Sequence, residues 1–114
     1  MNANDEPVIP IHTETDESGT PHESSFPQPT LPLGKVYQTP AVADLDFDRH
    51  HYLFRHSCGD WGDFMDESDD HVNEAAVLLG APVISRFEVS PGVRVCIITN
   101  GERTLTRMVL AREL

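Results

Sequence analysis

Apolar residues recur at every second position in the last third of the chain and at every third or fourth position in the middle third. The first third shows neither period. The alternation predicts three strands, over 83–89, 93–99 and 103–110, all rich in β-branched residues. Ser90-Pro91-Gly92 and Asn100-Gly101 separate them, and Asn-Gly is the strongest hairpin signal in the chain. The middle run, Val93-Arg94-Val95-Cys96-Ile97-Ile98-Thr99, is apolar at almost every position, which suits a central strand.

Helix signals precede the strands. Thr39-Pro40 supplies a hydroxyl cap and a proline at the first helical position, with Ala41, Val42 and Leu45 following. Asp46 is placed to cap a second helix over about 47–58, in which Phe47, His51, Phe54 and Cys58 form one stripe. Gly59 can end that helix in a left-handed conformation. A third helix, capped by Asp66 or Ser68 and stopped by Gly80 and Pro82, presents Val72, Ala75, Ala76 and Leu79 as its apolar face. A short strand signal lies at 33–38. The expected fold class is α+β: two to three short helices followed by a three-stranded antiparallel meander, with the helices over one face.

Composition changes the picture at the front. Residues 1–32 hold six acidic side chains (Asp5, Glu6, Glu14, Asp16, Glu17, Glu23), six prolines and no lysine or arginine. Such a segment buries too little apolar area to offset its ordering entropy, so it reads as a disordered acidic arm. Residues 33–114 then form one small domain. The whole chain carries −11, which disfavours direct contact with nucleic acid or an anionic membrane and favours a protein partner with a basic surface. No apolar run suggests a signal peptide or a membrane span, and two cysteines without a paired spacing read as reduced thiols. The expected compartment is the cytoplasm.

Candidate chemistry centres on Arg55-His56-Ser57-Cys58-Gly59-Asp60-Trp61-Gly62-Asp63-Phe64, which holds the only tryptophan. Two glycines bracket Asp60-Trp61, and an indole held that way can turn inward as a plug. Arg55, His56, Asp60, Trp61 and Asp63 are the interaction candidates. The histidines and the acidic run 60–70 match no metal-ligand motif, so no metal or cofactor is expected; His51 should pack at the core edge, with His50 and His56 solvated. A nuclease alternative uses His56 as general base, with Arg103, Thr106 and Arg107 of the last hairpin around a phosphodiester. The acidic side chains offer another reading, imitation of a phosphate backbone toward a DNA-binding protein.

With Leu33-Gly34, Thr39-Pro40, Arg55-His56, Gly59-Asp60-Trp61-Gly62, Asn73, Ser85, Phe87, Ile97-Ile98-Thr99, Arg103 and Thr106 in place, residues 33–114 resemble a group of small uncharacterised proteins of bacterial plasmids and mobile elements. Cys96 stands where that group tends to have an aromatic, and Ala111-Arg112-Glu113-Leu114 lacks its usual proline and tyrosine. The resemblance brings no catalytic residues. It implies a non-enzymatic interaction or regulatory module of a mobile element, inhibiting a host protein such as a defence or DNA-binding factor. The alternative is a small ribonuclease-like toxin.

Overall fold

The computed structural model describes residues 30–63 and 67–114. Most of the acidic arm, together with the Asp66 cap candidate, lies outside the described residues. The chain runs β1 (Lys35–Gln38), α1 (Pro40–Ala43), α2 (Arg49–Ser57), α3 (Glu67–Leu79), β2 (Val83–Ser90), β3 (Val93–Thr99) and β4 (Leu105–Leu110), with a closing 3-10 turn over Ala111–Glu113. The α+β class holds, but the sheet has four strands in the order β1-β4-β3-β2 and is mixed. The expected meander β2-β3-β4 is antiparallel, and β1 adds to it in parallel beside β4. The short signal at 33–38 was thus a true strand. Its alternation is obscured because one of its two inward residues is Gln38, whose Oε1 accepts from Arg49 Nε at 2.7 Å.

The packed chain starts earlier than Leu33. Thr30 and Leu31 both donate backbone N–H groups to Ser57 O, and Leu31 is buried against Trp61, Ala76 and Val83. Strand β4 starts later than expected, at Leu105. Asn100 closes a longer loop, its Oδ1 accepting from Thr104 N and Leu105 N, while Arg103 takes φ 60° and cannot continue a strand.

Thr39 caps α1 by accepting from Val42 N at 3.3 Å, as its sequence predicts. Helix α2 is capped by Asp48 instead of Asp46, and its inward face is Leu53, His56 and Ser57. Of the predicted stripe, His51 and Phe54 are exposed, Cys58 is half-buried, and Phe47, which precedes the helix, packs against the core. Tyr52 and Arg55 occupy the ground between, with Arg55 stacked 4.7 Å from the Phe87 ring. Helix α3 is rotated in the same sense: Asn73 and Ala76 are buried, whereas Val72, Ala75 and Leu79 face out.

One sheet face carries the core. Val36, Phe87, Val95, Ile97, Met108 and Leu110 pack with Val42 of α1 and Leu53 of α2, and Val83 packs with Ala76 of α3. The residues between them, Tyr37, Ile84, Cys96, Ile98, Leu105 and Val109, point to the opposite face and join neither cluster. The outer edge of β2 is closed by two devices. Asn73 Nδ2 donates to Ile84 O at 2.7 Å and its Oδ1 accepts from Ile84 N at 3.2 Å, as a neighbouring strand would. Two residues on, Arg86 N bonds Trp61 O and Arg86 O accepts from Asp63 N.

Candidate functional site

The residues around Gly59-Asp60-Trp61-Gly62 build a buried polar relay with a charged rim. His56 projects from α2 toward the sheet between the two apolar clusters and has no exposed surface. Its Nδ1 bonds Ser85 Oγ of β2, and its Nε2 lies 2.8 Å from Thr99 Oγ1 of β3. Thr99 Oγ1 is 2.8 Å from Thr106 Oγ1 of β4, and Thr106 donates to Leu33 O at 2.7 Å. The proton order follows from the far end. Thr106 spends its hydrogen on Leu33 O, so Thr99 must donate to Thr106, and His56 Nε2–H must donate to Thr99. His56 is therefore the Nε2–H tautomer, and Ser85 donates to Nδ1. Burial, reinforced by the positive charge of Arg103, lowers the His56 pKa to about 3. The imidazole is neutral, as the relay requires.

Trp61 covers this histidine. Its ring meets the imidazole edge-on, with centroids 5.8 Å apart, and only 5% of the residue is exposed. The indole is the expected inward plug, although its buried Nε1 has no hydrogen-bond partner among the described residues. Gly62 makes that placement possible. It has φ 101°, and a Cβ there would stand 1.8 Å from Arg86 O. Outside, Arg55 Nε donates to Asp60 Oδ2 at 2.6 Å and its Nη2 is 3.7 Å from Asp63 Oδ1. Asp60 Oδ1 also accepts from Gly62 N at 3.1 Å. Burial alone would raise the Asp60 carboxyl, but the Arg55 and Gly62 bonds hold it below the usual range. The same Asp60 bond raises the Arg55 pKa. Cys58, beside this rim, is pushed up by burial and is a poor nucleophile at neutral pH.

The five interaction candidates therefore divide. Arg55, Asp60 and Asp63 reach solvent, whereas His56 and Trp61 are inside, so the expectation of a solvated His56 is corrected. The histidine falls three residues after Leu53 on the inward face of α2, and the strand hydroxyls of Ser85 and Thr99 satisfy its two nitrogens. His51, expected at the core edge, is exposed.

The four residues of the nuclease alternative are also separated. His56 and Thr106 share the sealed relay. Arg103 caps α3: Nη2 donates to Ala76 O at 2.9 Å, and Nη1 donates to Ala81 O and Asn100 O at 2.8 and 2.9 Å. Since α3 has no basic residue in its last turn, this guanidinium supplies the cation that its carbonyl end favours. Arg107 is exposed on the other face of the sheet. Ser85 and Thr99, the missing partners of His56, carry one visible signal: polar residues at inward positions of strands that are otherwise apolar inward.

Among the described residues, no group of three or more histidine, cysteine or acidic side chains is placed to hold a metal ion. None of the described helices is long and apolar enough to cross a membrane. Among the described residues, three of the exposed large apolar side chains lie on α3, where Val72, Leu78 and Leu79 are 64%, 85% and 80% exposed. The same helix carries Glu67, Asp69, Asp70 and Glu74 and no lysine or arginine.

Fold and site together define the chain as an α+β domain with helices on one sheet face and a histidine relay locking the two layers. Comparison with protein-family models, with curated proteins and with solved structures returns no match.

Proposed function

We propose that this chain is a non-enzymatic interaction module of a mobile genetic element, acting in the cytoplasm on another protein with a basic surface, such as a host defence or DNA-binding factor. The mobile-element setting rests on the resemblance carried by Gly59-Asp60-Trp61-Gly62 and Ile97-Ile98-Thr99. The single observation that supports the binding role is α3: a solvent-facing apolar stripe on a helix whose charges are all negative. Exposed apolar stripes of this kind mark contact surfaces, and carboxylates beside them select a basic amphipathic segment over other apolar ones.

A ribonuclease-like role has less to stand on. A general base must reach the proton that it takes. His56 is sealed under Trp61 and bonded on both nitrogens, and Arg103 is committed to three carbonyls.

Affinity capture from host lysate tests the proposal, with wild type, Leu78→Asp/Leu79→Asp and Arg107→Glu as baits at low and physiological salt. A partner retained by wild type and Arg107→Glu but lost by the α3 variant is expected. Capture unaffected by the α3 change, or self-association through α3 seen by sedimentation, would overturn it.

A further inference from the structure

The two borders of the sheet are finished differently. Asn73, Trp61 and Asp63 close β2, whereas β1 has no such device among the described residues. Lys35 N bonds Thr104 O and Thr39 N bonds Met108 O, so the odd-numbered residues of β1 turn their backbone groups toward β4. Val36 and Gln38 therefore direct N–H and C=O the other way, off the border of the sheet. Water does not reach them there, since Val36 is 6% exposed and Gln38 1%. Arg49 holds the Gln38 side chain, but no group among the described residues bonds the outward backbone of either residue. Buried backbone groups require partners, because each one left unmade inside a fold costs about as much as a lost hydrogen bond. The outer sheet face is closed in the same way: no described helix packs on it, yet Cys96 and Val109 there are 0% and 1% exposed.

Only residues 1–29 and 64–66 remain to supply those partners. Residues 64–66 are held between Asp63 on the β2 border and the start of α3, at the far end of the strand order β1-β4-β3-β2. We propose that the front segment supplies them, and that Val8-Ile9-Pro10-Ile11-His12-Thr13 is the partner of β1, added beside it as a fifth, antiparallel strand. It is the one apolar, β-branched run in positions 1–29. Its proline fixes the register. With Ile9 opposite Gln38 and Ile11 opposite Val36, both isoleucines turn their backbone groups to β1. Pro10, which has no N–H to donate, then turns to the open side, as an edge strand allows. The same register sets Pro10 opposite Tyr37 and places Glu14 diagonal to the exposed Lys35. From Ile11 the chain can span roughly 60 Å back to Thr30, more than the 38 Å long axis of the molecule. Residues 14–29, with four acidic side chains and no lysine or arginine, are left to cross the outer face beside Lys35 and Arg107.

Amide hydrogen exchange on the full chain tests the inference. The expected result is that Val36 and Gln38 exchange as slowly as Tyr37, whose donor is directed at β4. Ile9→Pro/Ile11→Pro removes both donors aimed at β1 and should speed exchange at Val36 and Gln38 by about tenfold or more. Ile97 in the central strand should stay protected in that variant, which shows that the domain is still folded. Ala3→Pro/Asn4→Pro, upstream of the proposed strand, and Leu78→Asp/Leu79→Asp on α3 should leave both rates unchanged. Fast exchange at Val36 and Gln38 in the wild type, or protection that survives the Ile9/Ile11 change with Ile97 still slow, would overturn the inference. Protection that grows with protein concentration would give the border to a second copy and overturn it as well.

Discussion

His56 Nε2 lies 2.8 Å from Thr99 Oγ1, and neither residue has any exposed surface. That bond ties α2 to the centre of the sheet, and each further link of the relay reaches one strand on: Thr106 on β4, then Leu33 just before β1. Four elements are therefore registered by hydroxyls and one imidazole, where most small domains use apolar contact alone.

Thr106→Val should cost about 2–4 kcal/mol, because the isosteric change leaves both Thr99 O–H and Leu33 O without their partner inside the fold. Thr104→Val, on the exposed loop two residues earlier, loses only the solvent-exposed bond from Asn100 Nδ2 and should cost under about 1 kcal/mol. Urea unfolding of both variants checks this. Equal midpoints would mean that the relay contributes nothing net.

Stability should depend on pH through His56. Its folded pKa, about 3, lies below the ordinary histidine value, so the unfolded chain takes up the proton first as the pH falls. Stability is then full above about pH 6.5 and declines toward pH 3, by roughly 1.4 kcal/mol per unit while the one-proton difference persists. Carboxylates contribute below about pH 5, so the diagnostic quantity is the difference from His56→Gln, which should lose the slope between about pH 6 and 5. Unfolding curves at several pH values measure it.

Arg103→Lys should destabilise by about 1–3 kcal/mol, since one ammonium cannot reproduce the forked contact with Ala76 O, Ala81 O and Asn100 O. Arg103→Gly removes the cap but relaxes φ 60°, recovering about 1 kcal/mol of the loss. Thermal melts of both variants rank them. If glycine proves the more stable of the two, the cap is worth less than the strain.

Gly62→Ala should lose about 2–4 kcal/mol, through both the positive φ and the clash with Arg86 O. Trp61 fluorescence should shift toward longer wavelength as the indole gains access to water. An unshifted spectrum with wild-type stability would contradict the close approach.

Much of the fold was legible in the chain, and the reasons are local. Thr39-Pro40, Gly59 and Ser90-Pro91-Gly92 specify their turns by cap and φ chemistry, and Val93–Thr99 declares a central strand by composition. The inward faces of α2 and α3 were not legible. On both helices the exposed side also carries large apolar residues, Phe54 on one, opposite the buried Leu53, and Val72, Leu78 and Leu79 on the other. The buried side carries His56 and Asn73, which periodicity counts as polar. Their partners, Ser85, Thr99 and the Ile84 backbone, are distant in sequence, so only the tertiary structure makes burial affordable. Asn100-Gly101 misled for a related reason: the Asn100 side chain organises a longer loop than the dipeptide alone implies.

Asn73 completes the β2 border with a single amide. A strand border left open invites a neighbouring molecule to continue the ladder, and here one side chain stands in for that neighbour. Asn73→Leu would keep the helix and fill similar space while unmasking Ile84, leaving that border to the Trp61 and Asp63 bonds with Arg86 two residues on.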